Sequence, residues 1–446
     1  MEMTYHLFAI YWITSNSGTE PKLAFYSYIA MALFLGTRSS VLFLLSGWVA
    51  KRRGVITGMI MLGLGWTVSE WLCSLGELGY PWTITVLSVL NLDFPLRLVP
   101  IGGVWAVGTY IIAINILLVF AIYRKSWRYA AAAVVLTFSP FLIPELPSPP
   151  TKTYRIGIIQ PNIDPVSKWA DDPIYTVDHA YTLSKSLLPS HPDVILWPET
   201  AIPFYLQTRL RYRERVQQFI DSLDIPVVSG AQHYDRTDTV NTYNAVFILY
   251  PSRMGGIDPA FYAKRWLVPL GERIPFQWLV PSLHGIDLGQ AEFTPGPREM
   301  PLAVRTNSGD TIRIGTPVCY ESVFPQMATM FARRRLQLLA NLTNDGWYEK
   351  TWEKPQHAEL FRLRALETGV PLVRSANTGI SGWISSDAFW VRKMPEREPR
   401  AEVYAIAIPK TTPFRTGSIP WLPIISLVVA IYLLIVPRNA KKTRKN

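Results

Sequence analysis

The sequence predicts a multi-span α-helical membrane region joined to one large water-exposed α/β domain. Three observations carry that expectation. Apolar residues concentrate before about residue 143 and again after about residue 418, with ordinary soluble composition between them. Basic clusters flank the apolar segments at Lys51–Arg53, at Arg124–Arg128 and at the C-terminus. In the middle stretch, strand-like and helix-like patterns alternate, as in a layered α/β fold.

Composition narrows the function classes. The chain has 446 residues, room for two or more structural units. Hydrophobic residues make up 49% and the mean hydropathy is +0.14, high for a purely soluble enzyme. A net charge of +11 invites a nucleic-acid partner. The basic residues instead sit beside apolar segments, which is how membrane topology is written, so nucleic acid is disfavoured. There are two cysteines, Cys73 and Cys319. Cys73 lies in an apolar helix, which argues against a disulfide framework. Neither cysteines nor histidines show metal-ligand spacing, so no metal is expected.

Residues 1–143 are expected to hold the N-terminal membrane helices. The segment 1–14 is apolar but shorter than the roughly 20 residues a span needs. It lacks the basic start and small-residue cleavage site of a signal peptide. The first span, 23–50, is interrupted by Arg38, and the second is 55–74. Glu70 and Asp93 are expected at the membrane interface. Thr83 to Leu90 is apolar but short, suiting an interfacial or re-entrant piece. Further spans are expected at 98–123, at 129–143 and at 418–437, the last followed by a basic tail, 438–446. With all three basic clusters in the cytoplasm, the middle domain lies outside.

A proline-rich linker, 144–153, leads into the domain, 154–412. Strands are expected at Tyr154–Gln160, Val194–Trp197, Pro226–Ser229, Tyr243–Tyr250, Arg313–Val318 and Leu336–Asn341. Amphipathic helices are expected at Ile174–Leu188, Arg209–Leu223 and Glu353–Thr368.

Three strand ends carry chemistry-bearing side chains. Glu199 follows an apolar strand in ILWPETAIPF. Lys264 and Glu272 lie in FYAKRWLVPLGERIPF. Cys319 lies in TIRIGTPVCYESVF, on a strand-to-helix turn where backbone N–H groups and a nearby cation would favour thiolate. A lone cysteine at a strand end is more often a small buried hydrophobe, and a lone charge more often a structural ion pair. A carboxylate, an ammonium and a thiol at successive strand ends suit covalent catalysis. In such a set Glu199 takes the thiol proton, Lys264 stabilises the oxyanion, and Glu272 and Glu321 position these groups or relay protons.

Residues 154–408 resemble the nitrilase, or carbon–nitrogen hydrolase, superfamily. Over nearly the whole chain, ordered motifs are similar to those of the apolipoprotein N-acyltransferase family. They are EWLCSLGELGYPW (70–82), QPNIDPVSKW (160–169), WPETAIP (197–203), KRWLVPLGERIPF (264–276), VCYESVFP (318–325), NLTNDGWYEKTWEKPQH (341–357) and RALETGVPLVRSANTGISGWI (364–384). The resemblance implies a nitrilase-like α-β-β-α sandwich and a Glu199–Lys264–Cys319 triad. Trp169, Glu272, Tyr320 and Glu321 become supporting residues, and no cofactor is implied. It further implies ping-pong transfer of an sn-1 acyl chain from a phospholipid, typically phosphatidylethanolamine. The chain passes through a Cys319 thioester to the N-terminal amine of a diacylated apolipoprotein. The expected setting is the bacterial inner membrane, with the domain on the periplasmic side of a monomer. The family usually has more membrane helices before the domain, so this N-terminal region is expected to be shortened or Met1 to be an internal start.

Two other classes compete. A membrane-tethered nitrilase-type amidase would let water resolve the thioester, but a tether needs only one span. A catalytically silent membrane scaffold would not need Glu, Lys and Cys together. The aromatic residues Trp347, Tyr348 and Trp352 suit either domain core or an interfacial loop. The apolar loop 273–284 is a candidate lid over lipid.

Overall fold

A long apolar chain that must satisfy its own backbone hydrogen bonds folds as helix. The computed structural model describes residues 2–170, 172–234, 241–277, 279, 292–297, 300–348 and 351–436, with the side chains of Glu2, Trp169 and Ala170 outside that description. The chain divides into two units. One comprises Met1–Ile10, Ser27–Glu145 and Ile419–Asn446, and the other Tyr11–Tyr26 and Leu146–Ser418.

The first unit is helical. Its helices are α1 (Glu2–Ala9), α2 (Pro21–Arg53), α3 (Val55–Leu72), α4 (Asp93–Leu96), α5 (Val99–Tyr123) and α6 (Trp127–Phe138), with a last helix at Trp421–Ile435. Among the described residues, α2, α3 and α5, of 33, 18 and 25 residues, are long and apolar enough to cross a membrane. The stretch expected to span at 129–143 is helical only to Phe138, and a 3-10 turn follows at Ser139–Leu142. Pro140 has no N–H with which to continue the helix. Small residues let the helices approach closely. A Cβ on Gly58 would lie 2.5 Å from that of Ala50. Glu70, expected at an interface, is instead 2% exposed. It accepts from Trp66 Nε1 at 3.2 Å and from the Thr85 N–H at 2.8 Å. It thus serves the first turn of a 3-10 helix, Thr85–Val89, whose N–H groups have no helical partner. Asp93 is exposed at the start of α4.

The second unit is a sandwich of two six-stranded sheets. The strands are β1 (Thr151–Gln160), β2 (Val194–Tyr205), β3 (Val227–Tyr234), β4 (Thr242–Leu249), β5 (Ile257–Ala263), β6 (Leu302–Arg305), β7 (Thr311–Gly315), β8 (Leu338–Thr343), β9 (Leu372–Ala376), β10 (Gly382–Ile384), β11 (Trp390–Lys393) and β12 (Arg400–Pro409). One sheet runs β12-β1-β2-β3-β4-β5 and the other β11-β10-β9-β8-β7-β6. In each the three central strands are parallel, β1-β2-β3 and β7-β8-β9. Such strands are covered on both faces and read as unbroken apolar runs, as Val194-Ile195-Leu196-Trp197 does. Ser375 Oγ on β9 bonds across the interface, to the Ile159 carbonyl at 2.9 Å and the Leu196 carbonyl at 3.2 Å.

Helices cover both outer faces. They are α7 (Ser167–Ala170), α8 (Pro173–Lys185), α9 (Leu210–Leu223), α10 (Pro325–Ala332) and α11 (Glu353–Thr368). Val177 and Ala180 of α8, with Val216, Phe219 and Ile220 of α9, pack on Ile195, Trp197 and Phe247 of the first sheet. Trp197 Nε1 donates to Ser184 Oγ at 2.8 Å, so the largest core side chain is also hydrogen-bonded. On the second sheet α11 packs against α10, β9 and the turn that carries Cys319.

Candidate active site

Lys264 and Cys319 follow the ends of β5 and β7, one from each sheet, the usual place for a site in α/β folds. Glu199 sits in a break of β2. Pairing with β3 runs regularly to Trp197 and resumes at Ile202, and Thr200 between them has φ 46. Such a bulge re-aims a side chain out of the ladder. It needs Gly230 opposite, because a Cβ there would lie 2.5 Å from the Thr200 nitrogen and 2.7 Å from the Glu199 Cα. Gly230→Ala is therefore expected to destabilise the fold by about 1–3 kcal/mol and to displace Glu199. Denaturation midpoints check this, and an unchanged midpoint would mean that the bulge yields freely.

Lys264 follows β5, its N–H held by the Asn244 carbonyl at 2.8 Å. Its ammonium is 1% exposed, 2.8 Å from Glu272 Oε1 and 3.7 Å from Glu199 Oε1. Asn244 Nδ2 bonds the same two oxygens, at 2.7 Å to Glu199 and 3.3 Å to Glu272. Glu272 Oε2 accepts the Val268 N–H at 2.8 Å, so both Glu272 oxygens are committed to holding the site. Cys319 opens a 3-10 turn, Cys319–Val323, straight after β7 and Pro317. Its thiol interacts electrostatically with both Glu199 and Lys264.

Glu321 is a structural tie. It accepts from Tyr262 Oη at 2.6 Å and from the N–H groups of Arg265 and Val318, each at 2.9 Å. It thus joins the Lys264 segment to the Cys319 turn. Tyr320 is buried, its ring edge-on to Phe324, which stacks on Trp266. The Trp169 side chain lies outside the described residues, as do Trp278 and 280–284 of the expected lid; Leu279 is exposed. Trp352 is also exposed, whereas Tyr348 packs edge-on against Trp12 and accepts from Asn16.

The electrostatics correct one expectation, that the Cys319 turn favours thiolate. Burial and then the Glu199 carboxylate push the thiol pKa up, and Lys264 only partly opposes them. Burial also raises Glu199, with Glu272 adding to it and Lys264 opposing. Burial works against the Lys264 ammonium, but Glu272 and Glu199 overcome it and hold its pKa above the ordinary lysine value. The surroundings thus favour the charged form of Lys264 and the thiol over the thiolate of Cys319.

Lys168 was not singled out from the sequence, although it stands in QPNIDPVSKW. It donates to Thr200 Oγ1 at 2.7 Å and to the Glu199 carbonyl at 3.3 Å. Burial pushes its pKa down to about 7, against the pull of Glu199. Asp345, Glu353 and His357 also converge closely enough to suggest a metal. Arg374 already donates to both Asp345 oxygens, at 2.9 and 3.0 Å, so that donor set is spent on a guanidinium.

Comparison with known proteins decides the family. A carbon–nitrogen hydrolase model matches residues 155–402, and a model of the apolipoprotein N-acyltransferase N-terminal domain matches residues 1–117. An apolipoprotein N-acyltransferase from Geobacter metallireducens is 31% identical over 404 residues, covering 84% of this chain and 74% of that protein. The chain belongs to the apolipoprotein N-acyltransferase family. Members from Chlorobaculum tepidum and Pseudomonas putida are 28% and 26% identical, covering 74% and 94% of this chain and 68% and 81% of their own lengths. Among solved structures, an amidase from Nesterenkonia sp. is 17% identical with a TM-score of 0.44, covering 57% of this chain and 90% of that one. The NitFhit protein of C. elegans is 20% identical with a TM-score of 0.44, covering 63% of this chain and 65% of that one. Family membership and the three long apolar helices make this a membrane protein of the carbon–nitrogen hydrolase superfamily.

Proposed function

We propose that this chain transfers an sn-1 acyl chain from a phospholipid, such as phosphatidylethanolamine, to the N-terminal amine of a diacylglyceryl-cysteine apolipoprotein. The observation that carries the chemistry is the buried Lys264 ammonium between Glu199 and Glu272, within electrostatic reach of the Cys319 thiol. Cys319 Sγ attacks the ester carbonyl carbon as its proton passes to Glu199. Because the surroundings favour the thiol over the thiolate, this transfer accompanies attack. Lys264 stabilises the oxyanion. The C–O bond to glycerol then breaks, Glu199 returns the proton to the glycerol oxygen, and a lysophospholipid leaves. The acceptor amine attacks the thioester, its proton passes through Glu199 to the departing sulfur, and an amide forms. Tyr320, Glu321 and Trp169 support the site. The basic clusters support a cytoplasmic side for Lys51–Arg53 and Arg124–Arg128, and a periplasmic domain on an inner membrane.

The test is intact-protein mass spectrometry after incubation with phosphatidylethanolamine. The expected result is a hydroxylamine-labile gain of one acyl chain, absent in Cys319→Ala. No adduct on the wild-type chain would overturn the lipid donor and favour an amidase.

The pH dependence follows from the carboxylate pair. Glu199 must be ionised to accept the proton, and its pKa is raised. The acid limb of the acylation rate is thus expected above the ordinary glutamate value of about 4.3. Glu272→Gln removes a repelling charge and should move that limb to lower pH. A limb that stays put would mean that Glu272 and Glu199 do not share a field.

A further inference from the structure

Cys319 has φ 48. That left-handed conformation is unfavourable for a non-glycine residue, and it persists only where the surroundings over-determine it. Here they converge on one atom. The Cys319 carbonyl oxygen accepts from Asn341 Nδ2 at 3.3 Å and lies 3.0 Å from His357 Nε2. Both groups are held from behind by Arg374, which is fully buried. Its Nε donates to Asn341 Oδ1 at 3.1 Å. Its Nη1 donates to Asp345 Oδ2 at 2.9 Å and to the Ile380 carbonyl at 2.8 Å. Its Nη2 donates to Asp345 Oδ1 at 3.0 Å and lies 2.9 Å from His357 Nδ1. A guanidinium carries five N–H donors, and these contacts engage every one.

The same contacts select the imidazole tautomer. Arg374 can only donate, so His357 Nδ1 accepts and the ring proton sits on Nε2. Asp345 Oδ1, 3.1 Å from Nδ1, is already engaged by that guanidinium. Burial and then Arg374 lower the His357 pKa, which keeps the ring neutral. Nε2–H is left facing the Cys319 carbonyl and the Ser322 hydroxyl, which is 2.9 Å away.

We propose that Arg374, acting through His357 and Asn341, clamps the Cys319 carbonyl and makes those two side chains positioning residues for acyl transfer. The inference rests on Cys319 being the nucleophile. A peptide unit is planar and trans, so its C=O and the following N–H point in opposite directions. Pinning the Cys319 carbonyl therefore fixes the direction of the Tyr320 N–H and the Cα from which the thiol projects. Releasing one anchor lets the turn relax toward ordinary φ and swings the thiol relative to Glu199 and Lys264. A misplacement near 1 Å can cost about 10²-fold in rate.

The experiment measures acylation of the full chain by phosphatidylethanolamine in detergent, as a rate per active site. Sites are counted by the hydroxylamine-labile adduct at completion. In His357→Leu the rate per site is expected to fall about 10²-fold with the KM for lipid unchanged. His357→Gln, whose amide N–H replaces Nε2–H, should recover most of that loss. A His357→Leu protein with fewer sites, each acylating at the wild-type rate, would make the histidine merely structural and overturn the proposal. So would a glutamine variant no faster than the leucine one. Asn341→Ala is read in the same way where His357→Leu does not fold, and an unchanged rate per site there also overturns the clamp. A wild-type chain without a Cys319 adduct overturns the acyl-transfer reading itself, and the clamp with it.

Discussion

Lys264→Met is expected to abolish acylation and to cost about 3–5 kcal/mol of stability, the range for breaking a buried ion pair. Burial decides the magnitude, since an exposed pair contributes only about 0–1 kcal/mol. Lys264 is 1% exposed and faces Glu199 and Glu272 at 3.7 and 2.8 Å. Methionine keeps the volume but leaves two carboxylates buried without a counter-charge. The Glu199 pKa, already raised by burial, then rises further above the unfolded value of about 4.3, because Lys264 no longer opposes it. Stability is therefore retained below that pH and lost as pH rises through the folded Glu199 value. Adding Glu272→Gln should recover much of the stability and none of the acylation, because the oxyanion still lacks its cation. Thermal midpoints of the single and double variants across pH test this. A single variant as stable as wild type at neutral pH would show that the pair contributes nothing.

Arg374→Met is expected to be as damaging to the fold, again by about 3–5 kcal/mol. It leaves Asp345, which is 2% exposed, buried without its partner. In the intact protein burial opposes the Asp345 carboxylate, but Arg374 overcomes it and holds its pKa below the usual range. A depressed pKa supplies stability above the unfolded value of about 3.9 that is lost as pH falls through the folded one. The variant should lose that share, so its stability should fall less on acidification than that of wild type. Arg374→Lys should not rescue it, since a point charge cannot supply a planar fork of donors. Chemical denaturation at neutral and acid pH checks both points, and a lysine variant of wild-type stability would remove the geometric argument.

Much of the α/β unit was legible because its central strands are apolar runs bounded by turns. The expected strands at 154–160, 194–197, 226–229, 243–250, 313–318 and 336–341 overlap β1, β2, β3, β4, β7 and β8, although β2 and β3 run on to Tyr205 and Tyr234. β9 was not legible. Its sequence, Leu-Val-Arg-Ser-Ala, carries a buried arginine and serine that break the apolar run. Those residues are there for partners remote in sequence, Asp345 for Arg374 and the Ile159 and Leu196 carbonyls for Ser375. β11 and β12 are partly exposed edge strands with mixed patterns. The candidate site was legible as a thiol, an ammonium and a carboxylate at strand ends. Lys168, Asn244 and Asn341 were not, because nothing in a single amide or ammonium marks it as facing a site.

By itself, the sequence determined the membrane-plus-α/β architecture and which residue types could carry covalent chemistry. Both depend on local pattern, namely hydropathy over a span and side-chain alternation along a strand. Only the tertiary structure decided the electrostatic state of the site. An exposed turn would favour thiolate at Cys319, but desolvation and the neighbouring Glu199 push its pKa up. It also assigned Tyr11–Tyr26 to the α/β unit, where Trp12 and Asn16 meet Tyr348. Burial and field are sums over neighbours distant along the chain, and no local pattern records them.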